Sequence, residues 1–466
     1  MKIRQNIFIR IFLFLCILMF FLLFSFITGY RVKLFCEFYS LIVFFSAYMF
    51  VSSTKIDKVN IVSPGNLMLF VFFMRLVISP LTIIFFGYQK WVLPFNPSSF
   101  EIYKSYFIVF LAFYSVIIGW DLVSKKPIEI IPDEKKKMFF RNNSIIAILL
   151  MVFMILIIFL VYGSFINYIN SFYLEDYLFS FSNKNKLLLY LSIIIRYGVP
   201  FFGIIFGIFI LERINGDVYI KATIAGLFLL LIVFLAFGPS RSNIVFPVLA
   251  FLAAVIPRYL KIKFLDFVLG CCAFIIIAFI FQNIRKRSNK EMLNQLNKTE
   301  KFVEFIQVYF NAPHIMTPAL RIKDEMNEVP FTLPASFLET IPVLGAPFRD
   351  RSGSYVYNVA YGRAEGRDQV FPTSGEVYLN LGYSGVIIIF VLIGFFYRKI
   401  DMIFHCRTIS DPVYRAIIFY LALLYNASIF LSFSVLGQFA FYNSLLIITI
   451  MFLRDKQSTK IELDKV

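Results

Sequence analysis

Residues 371–398 read FPTSGEVYLNLGYSGVIIIFVLIGFFYR. The first half is small, polar and aromatic, and it carries one carboxylate, Glu376. The second half is almost wholly apolar and stops at Arg398 and Lys399. An apolar block of about twenty residues is what a helix needs to cross ~30 Å of hydrocarbon. A basic stop at one end is the usual mark of the cytoplasmic side. We therefore place a membrane span at 378–397, with Glu376 just ahead of it, in the first helical turn after Thr373 and Ser374.

The rest of the chain repeats this shape. Comparable blocks lie near 11–29, 34–53, 66–87, 103–122, 144–162, 188–211, 222–238, 243–257, 264–282, 413–432 and 434–453. The 466 residues are 60% hydrophobic and only 16% charged. Soluble domains of this length are nearer one-quarter charged. The expected fold class is an all-α polytopic membrane protein of about twelve spans. A net charge of +17 would suit nucleic acid, but the basic residues are scattered through short loops, as topology demands, and no nucleic-acid partner is expected. Five cysteines show no metal-ligand spacing, so neither a disulfide framework nor a metal site is expected. The first apolar run lacks a small-residue cleavage site and reads as a retained helix.

The segment 124–143 holds six basic residues between the fourth and fifth spans, which makes that loop cytoplasmic. The same parity puts 257–263, the loop 398–407 and both termini inside. The layout is then nine spans over 1–282, a large loop on the outer face over 283–377, and three spans with a tail over 378–466.

Three arginines interrupt apolar sequence, where a charge costs roughly 2.5–3.5 kcal/mol on insertion scales. Arg241 lies in GPSRSN, a hairpin tip on the outer face at the start of a descending helix. Arg196 lies ~12 Å and Arg75 ~18 Å below the outer ends of their spans at the helical rise. Helix breakers follow both, Gly198 with Pro200 and Pro80 respectively, as in helices that line a cavity. Together they form a basic track suited to phosphate, which guanidinium binds in bidentate fashion. An internal ion pair is the plainer alternative for Arg75 and Arg196.

The outer loop opens with Phe302, Phe305, Ile306 and Tyr309 at helical spacing, read as an amphipathic helix near the membrane. His314 follows, the one histidine on the outer face and a possible proton carrier. The stretch 345–369 packs Arg349, Arg351, Arg363 and Arg367 among glycines and tyrosines. By composition it is loop, and its chemistry suits sugars and anions. Glu376 at a helix N-terminus is commonly a dipole partner, yet it is also placed to act as a base on a hydroxyl.

TSGEVYLNLGYSG resembles the C-terminal signature of the Wzy-type O-antigen polymerases, through Gly375, Glu376, Tyr378, Asn380, Gly382 and Gly385. The GPSRSN turn is similar to the small-residue-plus-arginine turn of that family, with Arg241 in the arginine's position. The resemblance implies a GT-C-like glycosyltransferase at the bacterial inner membrane. It would join undecaprenyl-pyrophosphate-linked oligosaccharide repeat units on the periplasmic face without metal or other cofactor, alongside a chain-length regulator. Glu376 is then the first choice of base and His314 the second. Arg241, Arg196 and Arg75, with Arg349, Arg351, Arg363 and Arg367, are expected to bind pyrophosphate, and Tyr378 and Asn380 to line the substrate site. An O-antigen ligase and a lipid-linked oligosaccharide flippase are the alternatives.

Overall fold

The computed structural model describes residues 63–87, 97–123, 186–213, 218–237, 241–259, 313–325, 331–341, 345–360, 371–407, 412–430 and 432–444, with scattered positions in 37–46, 152–167 and 302–307. No strand occurs among the described residues. Among the described residues three helices are long and apolar enough to cross a membrane, Pro64–Phe86, Ser99–Leu122 and Thr373–Phe404. The chain divides into two compact units, one built from 1–127, 289–402 and 425–437, the other from 128–288, 403–424 and 438–466.

The first unit holds α1 (Pro64–Phe86) and α2 (Ser99–Leu122). Ser63 caps α1 by accepting the Asn66 N–H at 3.2 Å, with Pro64 in the first turn, where a missing N–H does no harm. Ser98 and Glu101 form a reciprocal capping box at the start of α2. Midway along α1 a π-helical turn, Met74–Ile78, runs up to Ser79 and Pro80. Proline cannot donate to the helical ladder, and the wider turn absorbs the mismatch.

The second unit contains α3 (Lys186–Arg213), α4 (Val218–Phe237) and α5 (Arg241–Tyr259), packed against one another. Gly203 of α3 admits Leu229 of α4, and Gly207 admits Phe251 of α5. Arg196 falls within α3 and Arg241 opens α5. The side chains of both lie outside the described residues.

Short helices follow in the first unit: α6 (Thr317–Glu325) after a 3-10 turn at Pro313–Met316, α7 (Leu333–Leu338), and α8 (Gly353–Ala360) after a 3-10 turn at Ala346–Arg351. The stretch expected to be loop is therefore helical over much of its described length. Tyr357 supplies the reason. Its ring stacks on Phe371 at 4.6 Å and its hydroxyl donates to Ile315 O at 2.6 Å, which buries one side of α8.

Next come α9 (Thr373–Arg407), α10 (Pro412–Phe430) and α11 (Phe433–Gln438). The expected cytoplasmic loop 398–407 is thus the last part of α9, held helical by the burial of Asp401 and Phe404. α2 and α9 run side by side in the same direction: Phe107 meets Tyr383, Gly119 lies against Val391 and Trp120 against Tyr397. The Gly119 and Gly394 positions let the two backbones touch, since an added Cβ would stand about 2 Å from a carbonyl oxygen of the other helix. α1 runs the opposite way, with Gly65 near Trp120 and Phe72 against Phe113.

Candidate functional site

α9 is two helical pieces joined at Gly382, whose φ of 66° and ψ of −160° belong to glycine almost alone. The break separates a short arm, 373–381, from the long apolar shaft. It also frees the arm's last carbonyls, and Lys323 of α6 takes them, its Nζ 2.9 Å from Tyr378 O and 3.4 Å from Leu379 O. The same ammonium lies 4.6 Å from the centre of the Tyr378 ring, with Lys104 at 5.5 Å. Burial, with Lys104 close by, holds the Lys323 pKa below its ordinary value.

Glu376 faces inward from this arm and is 1% exposed. Thr332 donates to its Oε1 at 3.0 Å and Ser336 donates to the same oxygen. Each hydroxyl also accepts from an amide. Asn380 Nδ2 donates to Thr332 Oγ1 at 2.9 Å, and the Gly353 N–H donates to Ser336 Oγ at 2.7 Å. A hydroxyl has one proton, so a donor behind it turns that proton towards the carboxylate. Both hydroxyls are thereby aimed at Oε1. Gly353 must be glycine here, because a Cβ would stand 2.3 Å from Oε1. The backbone N–H of Phe433 also faces the carboxyl group, and Glu339 is the neighbouring like charge. Glu339 in turn accepts from Ser434, which lies 3.2 Å from Ser354.

Arg75 reaches the same arm from the π-helical turn of α1. It is 2% exposed, and its Nη2 donates to Ser374 Oγ at 3.4 Å. One residue, Gly375, therefore separates the hydroxyl that meets the guanidinium from the buried carboxylate. π-helical turns recur at functional sites because they displace side chains from regular spacing.

The other expected site residues divide by position. His314 is fully buried in the 3-10 turn before α6, and burial pushes its pKa down to about 3. Its turn abuts the arm through Met316, whose sulfur is 3.7 Å from Ser374 Oγ. Arg349 and Arg351 are exposed on the turn that packs against α7. Tyr378 is buried towards the arm's far end, its ring tilted against that of Tyr383 with centroids 4.9 Å apart. Arg363 and Arg367 lie outside the described residues.

Thr332, Ser336, Glu339 and Lys323 were not singled out in the sequence, and no spacing rule marks them. A local hint exists only for Thr332, which precedes a Leu-Pro pair of the kind that opens helices.

At the opposite end of α9, Asp401 is 3% exposed and accepts from the Gly65 N–H at 3.0 Å and from Arg398 Nη1 at 2.8 Å. Arg398 also lies over the Trp120 ring at 4.8 Å. Among the described residues no group of His, Cys, Asp and Glu is arranged to hold a metal ion. No protein-family model, curated protein or solved structure matches the chain.

Proposed function

We propose that the chain is a polytopic inner-membrane glycosyltransferase, a polymerase that joins undecaprenyl-pyrophosphate-linked oligosaccharide repeat units on the periplasmic face. About twelve spans, a GT-C-like architecture, one large outer loop, cytoplasmic termini and a separate chain-length regulator belong to this reading. The observation that carries it is the setting of Glu376. Thr332 and Ser336 both donate to Oε1 and the Phe433 N–H faces the same carboxyl group, so the buried carboxylate is held in place by neutral donors.

In the proposed step, the acceptor hydroxyl gives its proton to the Glu376 carboxylate while its oxygen bonds to the anomeric carbon of the donor. The bond from that carbon to the pyrophosphate oxygen breaks, and the electron pair leaves with the lipid pyrophosphate. Positively charged groups aimed at the leaving oxygen stabilise that charge. Arg75 is the buried candidate, with Arg349, Arg351, Arg363 and Arg367 as further binders. A base of this kind contributes about 10²–10⁴ in rate. Glu376 lies beneath α7 and the start of α8, so acceptor entry requires this cover to lift.

The test is a gel of surface polysaccharide from a deletion strain complemented with wild type or Glu376→Gln. Polymerase activity at this site gives a ladder with wild type and core plus one repeat with the variant. A bare core in the deletion, with polymer left on the carrier lipid, means a ligase instead. An unchanged ladder in the deletion overturns the enzyme reading.

A further inference from the structure

Asn380 follows Glu376 by one helical turn, and its amide is fully engaged inside the protein. Nδ2 donates to Thr332 Oγ1 at 2.9 Å and to Glu376 O at 2.7 Å. Oδ1 accepts from the Thr332 N–H at 2.6 Å and from the Leu333 N–H at 3.4 Å. A side-chain amide offers two N–H donors and two lone pairs, and all four directions are used here. The partners also fix which atom is which. A flipped amide would set NH₂ against two backbone N–H groups and an oxygen against a carbonyl.

We infer that Asn380 is a positioning residue for Glu376 rather than a substrate ligand: it latches the start of α7 onto α9 and turns the Thr332 hydroxyl towards Oε1. This rests on Glu376 being the base, and it gives Asn380 a different role from the expected lining of the substrate site. The latch acts twice on one residue. It satisfies the Thr332 N–H, one of the free donors at the start of α7, and it fills the Thr332 hydroxyl's acceptor side so that its proton is left for Glu376. Asn380 therefore does for Thr332 what the Gly353 N–H does for Ser336. The charged groups around the pair are Glu339, Arg75 through Ser374, and Lys323 on the arm's carbonyls. None of these replaces the amide's simultaneous giving and accepting.

The informative variants are Asn380→Asp, which keeps the acceptor for the Thr332 and Leu333 N–H groups but removes both donors and adds a charge, and Asn380→Leu, which removes the acceptor as well. Purified full-length protein in lipid vesicles would be assayed with a lipid-linked repeat unit, with hydrogen exchange of the Thr332–Ser336 amides followed in parallel. A latch predicts kcat lower by tenfold or more and KM within twofold for both variants, with faster exchange at those amides for Asn380→Leu. Thr332→Val should mimic the kinetic loss and Thr332→Ser should not. The double variant Asn380→Asp with Thr332→Val should be no worse than either single one, as for groups acting through each other. A raised KM with unchanged kcat and unchanged exchange would overturn the inference, and so would unaffected kinetics and exchange together. Should Asn380→Asp not fold, the Thr332→Val and Thr332→Ser pair carries the same comparison. Full activity of Glu376→Gln defeats the base assignment instead, and the exchange data still decide the latch.

Discussion

α9 buries a carboxylate near each end, and the two are treated in opposite ways. Asp401 is met by the Arg398 guanidinium and by a backbone N–H in the first turn of α1, so both of its oxygens are answered and its charge is balanced. Glu376 is just as buried, yet its hydrogen-bonding side chains are two neutral hydroxyls on a single oxygen, and its charged neighbour is another carboxylate. Equal burial with unequal compensation separates a structural clasp from a group poised for chemistry. A buried carboxylate that only held helices together would gain most from a cation, as Asp401 does.

The comparison breaks first at Glu376. Glu376→Gln keeps the size and the hydrogen bonds to Oε1, so the protein should melt close to wild type. Turnover of lipid-linked repeat units should nevertheless fall at least about 100-fold. A variant that unfolds while the surviving fraction keeps full turnover would make Glu376 a second clasp.

Asp401 should answer the other way. Asp401→Ala leaves Arg398 without its partner at a site where that side chain is only 16% exposed, and should destabilise by about 3 kcal/mol. Turnover per folded molecule should be unchanged. The double variant Asp401→Leu with Arg398→Met should recover most of the stability, since removing both charges leaves nothing unpaired. Denaturant midpoints in detergent, set beside turnover, measure both halves.

What could be read in the sequence follows from which interactions leave a local trace. The three long apolar helices did, because twenty apolar residues in a row have few other uses in a folded chain. The place of Glu376 in the first turn of α9 did, because Thr-Ser-Gly-Glu ahead of an apolar run is a local pattern. Arg75 stood out as a charge in fat, but its partner Ser374 is 299 residues away and has no period that points to it. Thr332 and Ser336 are ordinary hydroxyls some 40 residues before Glu376, joined to it only by the folded loop. Asp401 was hidden for a different reason. The basic residues at 398–399 suggested a loop, whereas Arg398 is neutralised by Asp401 three residues later and the helix continues.

Acid should loosen the Glu376 end through His314, which packs one turn from the arm. The ring is fully buried and its pKa is pushed down to about 3, against roughly 6.5 in an unfolded chain. Between those values the unfolded state binds the extra proton, so the His314 contribution to stability is lost as pH falls from about 6.5. The slope reaches about 1.4 kcal/mol per pH unit, or roughly 2 kcal/mol by pH 5. His314→Phe, which keeps a flat ring and cannot protonate, should flatten that part of the profile. Denaturation curves at pH 7.5 and 5 for both proteins test it, and equal slopes would remove His314 from the account.

The smallest effect should come from Lys323, and it bears most directly on why the two ends differ. Each end of α9 has a cation close by. At the far end Arg398 is used on a carboxylate, while at the arm Lys323 is turned onto the carbonyls that Gly382 sets free. At the arm the ammonium thus meets backbone oxygens, while Glu376 is met by neutral hydroxyls and a backbone N–H. Lys323→Met retains the stem over Tyr378 and loses the ammonium. It should lower stability by about 1 kcal/mol, the usual net value of such a hydrogen bond, and leave turnover within a few-fold, because Asn380 still holds the arm. A loss of turnover as deep as that of Glu376→Gln would instead put the Lys323 charge to work on the substrate, and the two ends of α9 would then differ less than their carboxylates suggest.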